Sequence, residues 1–210
     1  DDAEVLHPSG LPAIDRTPKL FIGGKQARPD SGYTRAVRSL AGVTVGEVGD
    51  GNRKDLRNAV EAAQAAAGWA KLTGHQRAQI LYYIAENLAA RADEFAARIV
   101  SMTGDGRAAG DSEVAAAISR LFTYAGWADK HDGAVHDVPL RGVALAMHEP
   151  IGVVGVACPD PYPLLGLVSL LGPLLATGNR EVAIPSERFP LVATDFYSVL
   201  ETSDVPGGVV

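Results

Sequence analysis

The sequence has 210 residues, of which 47% are hydrophobic and 21% are charged, and its formal net charge is −6 at pH 7. This composition is typical of a globular protein and excludes a disordered or fibrous chain, and the length suffices for one domain or slightly more. Because the balance is acidic and no stretch is dense in Lys or Arg, we expect no nucleic acid as a partner.

The two ends of the sequence and its cysteine content indicate a cellular compartment and a longer parent chain. The opening Asp1-Asp2-Ala3-Glu4 is acidic and has neither the basic nor the apolar region of a secretory signal. The single cysteine, Cys158, excludes an intrachain disulfide framework and fits a reducing compartment, so we expect a cytoplasmic protein. Residues 206–210 predict a turn and the first two residues of a strand, and we therefore expect a fragment of a longer chain.

Residues 1–50 are predicted to form an N-terminal arm with short strands. Gly and Pro recur in this segment, and its apolar runs are brief, at residues 19–24, 34–37 and 43–48. Short runs between turn residues are typical of edge hairpins and not of a central core sheet.

Residues 51–132 are predicted to be helical. Apolar residues recur with helical spacing in four segments, which begin near residues 52, 73, 92 and 112. Asn52 is a suitable N-cap for the first helix, and Thr73 and Gln76 have the spacing of a capping box before the second. Gly104 ends the third helix, and the fourth is expected to run to about Lys130.

Around Gly133 the period of the apolar residues changes from helical to alternating. Val143, Leu145 and Met147 alternate with small residues, which predicts a half-buried strand within residues 133–150. A strand of this kind at an edge either pairs with another chain or is covered by its own chain.

Residues 151–210 predict a βαβαβ unit. The apolar run 151–157 is typical of a strand covered on both faces, and a helix to about Ala176, a strand at 182–184 and a helix from Pro190 follow it. This order predicts the α/β class, with an open, mostly parallel, Rossmann-like sheet that has helices on both faces. The arm and the helical segment precede this sheet.

The uncharged stretch at residues 161–179 is the one candidate for a membrane span. Pro161, Pro163 and Pro173 interrupt it, and the apolar length between these breakers falls short of the roughly 20 residues that a span requires. We therefore predict a buried helix and no membrane partner.

A metal site is considered at the loop around Gly133, where two histidines and two aspartates lie. His131, His136, Asp132 and Asp137 have neither a cysteine beside them nor the i, i+4 spacing of ligands on a helix. We predict a solvated loop there and no metal.

Ligands of an open α/β sheet bind outside the carboxyl ends of its strands. Here these ends are residues 158–162 and 185–187. Gly152 and Gly155 lie within the first strand and do not form the glycine fingerprint of a dinucleotide site. A nucleotide site at this edge would therefore be non-standard.

Several motifs, in the correct order, resemble the N-terminal, cofactor-binding half of the aldehyde dehydrogenase superfamily. The motifs are Leu20-Phe-Ile-Gly-Gly24, Tyr124-Ala-Gly-Trp-Ala-Asp-Lys130, Glu149-Pro-Ile-Gly-Val-Val-Gly-Val156, Pro159-x-x-Tyr-Pro163, Gly178-Asn179 and Pro185-Ser-Glu187. The departures from the family pattern most resemble the second, degenerate unit of the tandem family-16 enzymes. The resemblance implies a parent that oxidises aldehydes to carboxylates with NAD or NADP. It assigns residues 51–132 to the helical part of the cofactor-binding domain and residues 133–150 to an edge or oligomerisation region.

The resemblance also implies a set of cofactor-binding positions. Cys158 and Pro159 match backbone positions beside the nicotinamide ribose, and Ser186 and Glu187 match the Ser-Glu pair after the second strand. Glu187 matches the acidic residue that accepts from the adenosine ribose. Cys158 ends a buried strand and is not predicted to be the nucleophile, which the family carries beyond Val210.

Three departures affect the implied site. Pro161 occupies the position of the asparagine that donates to the oxyanion, and it has neither a side-chain amide nor a backbone N–H. Ile184 replaces the lysine that donates to the cofactor ribose, and Asp160 replaces a tryptophan. The loss of one oxyanion donor lowers a rate by about a hundred- to a thousandfold. We therefore predict no catalytic residue in this chain.

Three functional hypotheses remain from the sequence. The first is a degenerate, structural and oligomerisation unit of a longer dehydrogenase, with residues 143–147 as its contact edge; its partners are the rest of the parent chain and further copies. The second is a genuine NAD(P)-binding half of an active enzyme, favoured by Glu187. The third is a protein-binding module unrelated to dehydrogenases, which requires the motifs to be coincidental.

Overall fold

The computed structural model describes residues 18–210, and the part of the predicted arm at residues 1–17 lies outside the described residues. The described chain begins with two antiparallel hairpins. The first pairs β1 (Leu20–Ile22) with β2 (Lys25–Ala27), and the second pairs β3 (Thr34–Arg38) with β4 (Thr44–Gly49).

Four α-helices and one short 3₁₀ helix follow the hairpins. They are α1 (Arg53–Ala65), the 3₁₀ helix (Ala67–Lys71), α2 (Gly74–Ala90), α3 (Ala92–Thr103) and α4 (Arg107–Trp127). Both predicted capping residues are confirmed. The Asn52 side chain accepts from the backbone of Asp55 while the Asp55 side chain accepts from the Asn52 N–H, and Thr73 and Gln76 form the same reciprocal pair.

The start of α4 differs from the sequence prediction. The helix begins at Arg107, five residues before the predicted start, and its N-cap is Gly106, which offers no side-chain hydrogen bond. The sequence therefore lacks here the capping signal that marks the starts of α1 and α2. The predicted stop at Gly104 is confirmed, because this residue ends α3 in the left-handed conformation with φ of 74°.

A two-stranded ribbon follows α4. It pairs β5 (Ala134–His136) with β6 (Ala144–Ala146) in antiparallel register, with Val135 opposite Leu145. The predicted half-burial of this region is wrong, because Val143, Leu145 and Met147 are each more than 60% exposed. The alternation is present, but within the described residues no other element covers the apolar face.

The remaining elements form the α/β part of the fold. They are β7 (Val153–Ala157), α5 (Pro163–Ala176), β8 (Arg180–Ile184) and α6 (Leu191–Glu201). Strands β7 and β8 are parallel and adjacent, as the βαβ pattern predicts. The predicted full cover of β7 is wrong for its last residues, because Gly155 and Ala157 are exposed.

The third strand of the predicted βαβαβ unit is not formed as a strand in the described residues. Val209 and Val210 lie outside regular structure, but the Val209 carbonyl accepts a hydrogen bond from the Glu181 N–H at 2.9 Å. The chain therefore reaches the free edge of β8 with one bond. Strand assignment requires a ladder of such bonds, and a single bond does not supply one.

The core lies between the helical segment and α5 and α6. The rings of Phe95 and Phe196 meet edge-to-face with centroids 6.3 Å apart, which joins α3 to α6. The approach of α4 to α5 is close, because a Cβ placed on Gly172 would lie 2.4 Å from Cδ2 of Tyr124. A glycine is therefore required at this point of α5.

Helix α5 contains most of the uncharged stretch at residues 161–179. It has 14 residues and includes Pro173. Among residues 18–210, no helix has both the length and the apolar character needed to cross a bilayer.

The N-terminus of α5 is satisfied by a residue from α4. Tyr162 precedes this helix and offers no side-chain cap, and the carboxylate of Glu113 instead accepts from the N–H groups of Leu164 and Leu165 at 2.8 and 3.1 Å. Glu113 is buried, and burial raises its pKa although the two backbone N–H groups oppose this shift. Glu113 thus holds the first turn of α5 against α4, directly after the loop that follows β7.

We expect Glu113→Ala to destabilise the protein by about 1–3 kcal/mol, because two buried N–H groups lose their acceptor. Glu113→Gln keeps an acceptor oxygen of the same reach and should lose much less. Urea unfolding of both variants beside the wild type measures the difference. Equal losses for alanine and glutamine would contradict the capping role and assign the effect to packing alone.

Candidate functional site

The ends of β7 and β8 meet at one edge of the sheet. The Cys158 N–H donates to the Ile184 carbonyl at 2.8 Å, which continues the ladder for one residue past β7. Two loops leave from this edge, residues 158–162 and residues 185–190. The fold therefore brings Cys158 and Pro159 of the first loop to the same edge as Ser186 and Glu187 of the second, the four predicted cofactor positions.

The two loops are joined through Asp160. Its Oδ1 accepts from the Ser186 hydroxyl at 2.8 Å and from the Arg188 N–H at 3.2 Å. The Ser186 Oγ also accepts from the Phe189 N–H at 2.9 Å. The hydroxyl of Ser186 is thus used as both donor and acceptor within the protein, and these bonds lower the pKa of Asp160, with Ser186 as the largest contributor.

Cys158 has the properties of a packed, unreactive thiol. It is partly buried, and burial raises its pKa to about 11, with the charge of Glu181 as a second, smaller cause. The thiolate is the nucleophilic form, and at neutral pH a thiol with this pKa holds its proton. That Cys158 is not the nucleophile stays a prediction, and the partial burial and raised pKa of its thiol support it.

Pro161 and Ile184 contribute no side-chain hydrogen-bond donor to the edge. Pro161 is exposed and lacks an N–H, and Ile184 directs an apolar side chain, 58% exposed, from the last position of β8. The donors that remain near this edge come from backbone groups and from arginines. One of these is Arg35 of β3, whose Nη2 donates to the Glu187 carbonyl at 2.8 Å and so ties the arm to the second loop.

Tyr162 is a feature that the sequence analysis missed. It has φ of 55°, a left-handed conformation that is uncommon for a residue other than glycine, and its side chain is 66% exposed. Its carbonyl accepts from the Gly166 N–H at 2.6 Å and so opens α5. The prolines on either side, Pro161 and Pro163, are the only sequence signal of this tight exit from the strand.

Glu181 is the second feature that the sequence analysis missed. It lies in β8, is 1% exposed, and neither carboxylate oxygen has a hydrogen-bond partner among the described residues. Burial raises its pKa well above the ordinary value, because an ionised carboxylate loses its hydration there. The strand predicted at residues 182–184 begins in the structure at Arg180 and therefore includes Glu181, which the sequence analysis placed outside the strand.

A cavity of about 830 Å³ lies beside β8, between the arm and α6. Its walls are mainly apolar and include Phe21, Leu171, Phe196 and Tyr197. Ser186 and Glu187 of the second loop also line it. The size is within the range of small-molecule sites.

The candidate metal residues are arranged differently from a ligand cluster. The imidazole of His131 stacks on that of His148, with ring centroids 4.2 Å apart, beside a cavity of about 220 Å³ that Arg77 also lines. Among residues 18–210, no three His, Cys, Asp or Glu side chains come close enough together to hold a metal ion. His136 lies in β5 and is exposed.

Comparison with known proteins places these features in a family. Residues 28–210 match the model of the aldehyde dehydrogenase family. An aldehyde dehydrogenase of Agaricus bisporus is 34% identical over 198 residues, which are 91% of this chain and 39% of that protein. Human retinaldehyde dehydrogenase 3 is 36% identical over 198 residues, again 91% of this chain and 39% of the relative.

A solved structure gives the same result. The betaine aldehyde dehydrogenase of Staphylococcus aureus in complex with NAD+ superimposes with a TM-score of 0.87 at 26% identity, and covers 92% of this chain and 39% of that one. The chain thus spans about two fifths of the length of the relatives that it matches. The α/β fold with a Rossmann-like sheet agrees with this similarity.

Proposed function

Because the chain belongs to the aldehyde dehydrogenase family, we propose that it is the cofactor-side half of a unit that no longer catalyses and that serves as a structural and oligomerisation unit of a longer oxidoreductase. The observation that carries this proposal is the content of the two strand-end loops. Pro161 and Ile184 supply no side-chain donor, and the hydroxyl of Ser186 is already bonded to Asp160. Few polar groups orient a ligand in a pocket, so these losses are serious.

The parent protein would oxidise aldehydes to carboxylates with NAD or NADP, through a unit other than this one. The NAD+ complex of the similar Staphylococcus aureus enzyme supports a nicotinamide cofactor for the family. The tandem, family-16 type of parent is part of the proposal, because such proteins carry a second, degenerate unit. The nucleophilic cysteine and the general base would lie outside these 210 residues.

The ribbon of β5 and β6 is the proposed contact with further copies. Val135, Val143, Leu145 and Met147 share one face of the ribbon, and each is between 63% and 73% exposed. Contiguous apolar surface of this kind marks interaction sites in soluble proteins. The partners are therefore the rest of the parent chain and a second copy of it, in a cytoplasmic location that the single cysteine supports.

The second candidate is a genuine NAD(P)-binding half of an active enzyme. The observation in its favour is the exposed Glu187, which lies at the matched position beside the edge of the sheet. This candidate requires that the cofactor bind without the donors that Pro161 and Ile184 lack.

Titration of the full-length protein with NAD+ and NADP+, followed by calorimetry, tests the two candidates. We expect fewer bound cofactors per chain than dehydrogenase units per chain. The variant Ile184→Lys with Asp160→Trp and Pro161→Asn should gain measurable cofactor affinity in this unit, because it restores donors and releases Ser186.

One cofactor for every unit of the wild type, including this one, would overturn the structural proposal and support the second candidate. A matched control is Glu187→Gln in the restored variant, which removes the negative charge of the ribose acceptor. This control should lose much of the restored affinity if the cofactor occupies the strand-end crevice.

A further inference from the structure

The turn after β8 directs two polar hydrogens at one point. Ser186 is 2% exposed, and because its Oγ accepts from the Phe189 N–H, its own hydrogen is directed away, toward the crevice. The Arg188 N–H points to the same place. Turns in which N–H and O–H donors converge are anion-binding concavities in proteins.

The anion at this point is a side chain of the chain itself. The carboxylate of Asp160 reaches across from the loop after β7, 26 positions earlier than Ser186, and a single oxygen accepts from both Ser186 and Arg188. Asp160 is exposed, whereas the hydroxyl that it covers is buried. The carboxylate is thus the outer cover of a buried donor.

We propose that Asp160 is a built-in anion that occupies the donors of the 186–189 turn, and that its removal uncovers a site for a phosphate-sized anion. This inference rests on the proposed function, because it names the contact that closes the crevice to phosphate-bearing ligands. A ligand phosphate and the Asp160 carboxylate compete for the same two donors. The wild-type chain therefore has low affinity for phosphate at this point.

The charges around the turn set the strength of the uncovered site. The guanidinium of Arg188 lies 5.6 Å from the ring of Phe189, and that of Arg35 is fixed on the Glu187 carbonyl at 2.8 Å. Both arginines favour an anion, and the exposed carboxylate of Glu187 opposes it. Two hydrogen bonds to a charged oxygen, with this balance of neighbours, correspond to modest affinity.

The test measures binding of inorganic phosphate to the full-length protein by calorimetry at neutral pH. We expect Asp160→Ala to bind phosphate at least about tenfold more tightly than the wild type, the gain expected from newly available charge-assisted hydrogen bonds. Asp160→Ser, whose hydroxyl is too short to reach Ser186, should gain similarly. Addition of Ser186→Ala to either variant should abolish the gain.

Two controls separate the release of donors from a change in charge. Asp160→Asn keeps an acceptor oxygen for Ser186 and Arg188, so the turn stays occupied and phosphate affinity should stay low. Glu201→Ala removes one negative charge from the far end of α6, about 15 Å away along the helix, and should leave phosphate binding unchanged.

The proposal is overturned if Asp160→Ala and Asp160→Ser both remain folded and bind phosphate no better than the wild type. It is also overturned if Asp160→Asn gains as much phosphate affinity as Asp160→Ala. These results leave the proposed function intact, because that function is judged by NAD+ binding to the wild type. Conversely, NAD+ binding to this unit of the wild type overturns the proposed function whatever the variants do.

Discussion

Glu181→Val is expected to stabilise the protein by about 1–3 kcal/mol at neutral pH. The wild-type carboxyl lies in β8 with 1% exposure and no hydrogen-bond partner for either oxygen among the described residues. The burial of a polar group without a partner costs about this much in mutational series, and valine is favoured in strands. The stabilisation should be visible as a higher midpoint in urea unfolding with an unchanged slope.

The effect of Glu181 depends on pH in a defined direction. In the folded protein its pKa lies well above 4.5, whereas in the unfolded chain it is close to that value. Between these two pKa values the folded state holds a proton that the unfolded state has released, so stability falls as pH rises. The slope approaches about 1.4 kcal/mol per pH unit within this window and vanishes below it.

Glu181→Gln is the matched control, because it keeps a buried polar group of similar shape but cannot titrate. We expect the wild type to lose stability between pH 5 and the folded pKa, and both variants to lose less. Valine should be more stable than glutamine throughout, because only valine removes the unpaired polar atoms. A wild type whose pH dependence matches that of Glu181→Gln would show that folding does not raise the pKa of this carboxyl.

The elements that the sequence predicts well are those with local signals. Asn52 and Thr73 each supply a capping side chain, and Gly104 supplies the left-handed stop, so these helix ends lie where the sequence places them. The start of α4 has no such signal, since its cap is Gly106, and the prediction falls five residues late. A helix end can be predicted from the sequence where a capping side chain or a left-handed glycine marks it.

The site depends on contacts that no local pattern contains. Asp160 meets Ser186 across 26 positions, and Glu113 reaches Leu164 across 51. The sequence identifies Asp160 as a departure from the family pattern, but only the fold supplies its partner. The unpaired carboxyl of Glu181 also depends on distant residues, because the free-energy cost of burying it is set by the groups that surround β8. The ribbon of β5 and β6 is a further example. The alternating pattern predicts a strand with one apolar and one polar face, but it does not predict whether another element buries the apolar face.

Leu145→Asp is expected to weaken self-association of the full-length protein by at least about a hundredfold. Leu145 is 63% exposed and lies opposite Val135 on the apolar face of the ribbon. If that face is buried between two copies, an aspartate there must be desolvated without a partner, which costs several kcal/mol. A cost of about 2.7 kcal/mol already corresponds to a hundredfold change in the association constant.

Sedimentation velocity over a range of protein concentrations measures this effect. The wild type should remain an oligomer at concentrations at which Leu145→Asp has dissociated. The melting temperature of the dissociated unit should change little, because Leu145 contacts solvent in the single chain. This separates a loss of association from a loss of folding.

Ala146→Asp is the matched control, because it places the same charge on the next residue of β6, which is exposed on the opposite face of the ribbon. We expect this variant to associate as the wild type does, since successive side chains of a strand point to opposite faces. If both variants dissociate equally, the apolar face is not the specific contact. If the wild type is itself a monomer, the ribbon does not join copies, and the oligomerisation part of the proposed function is wrong.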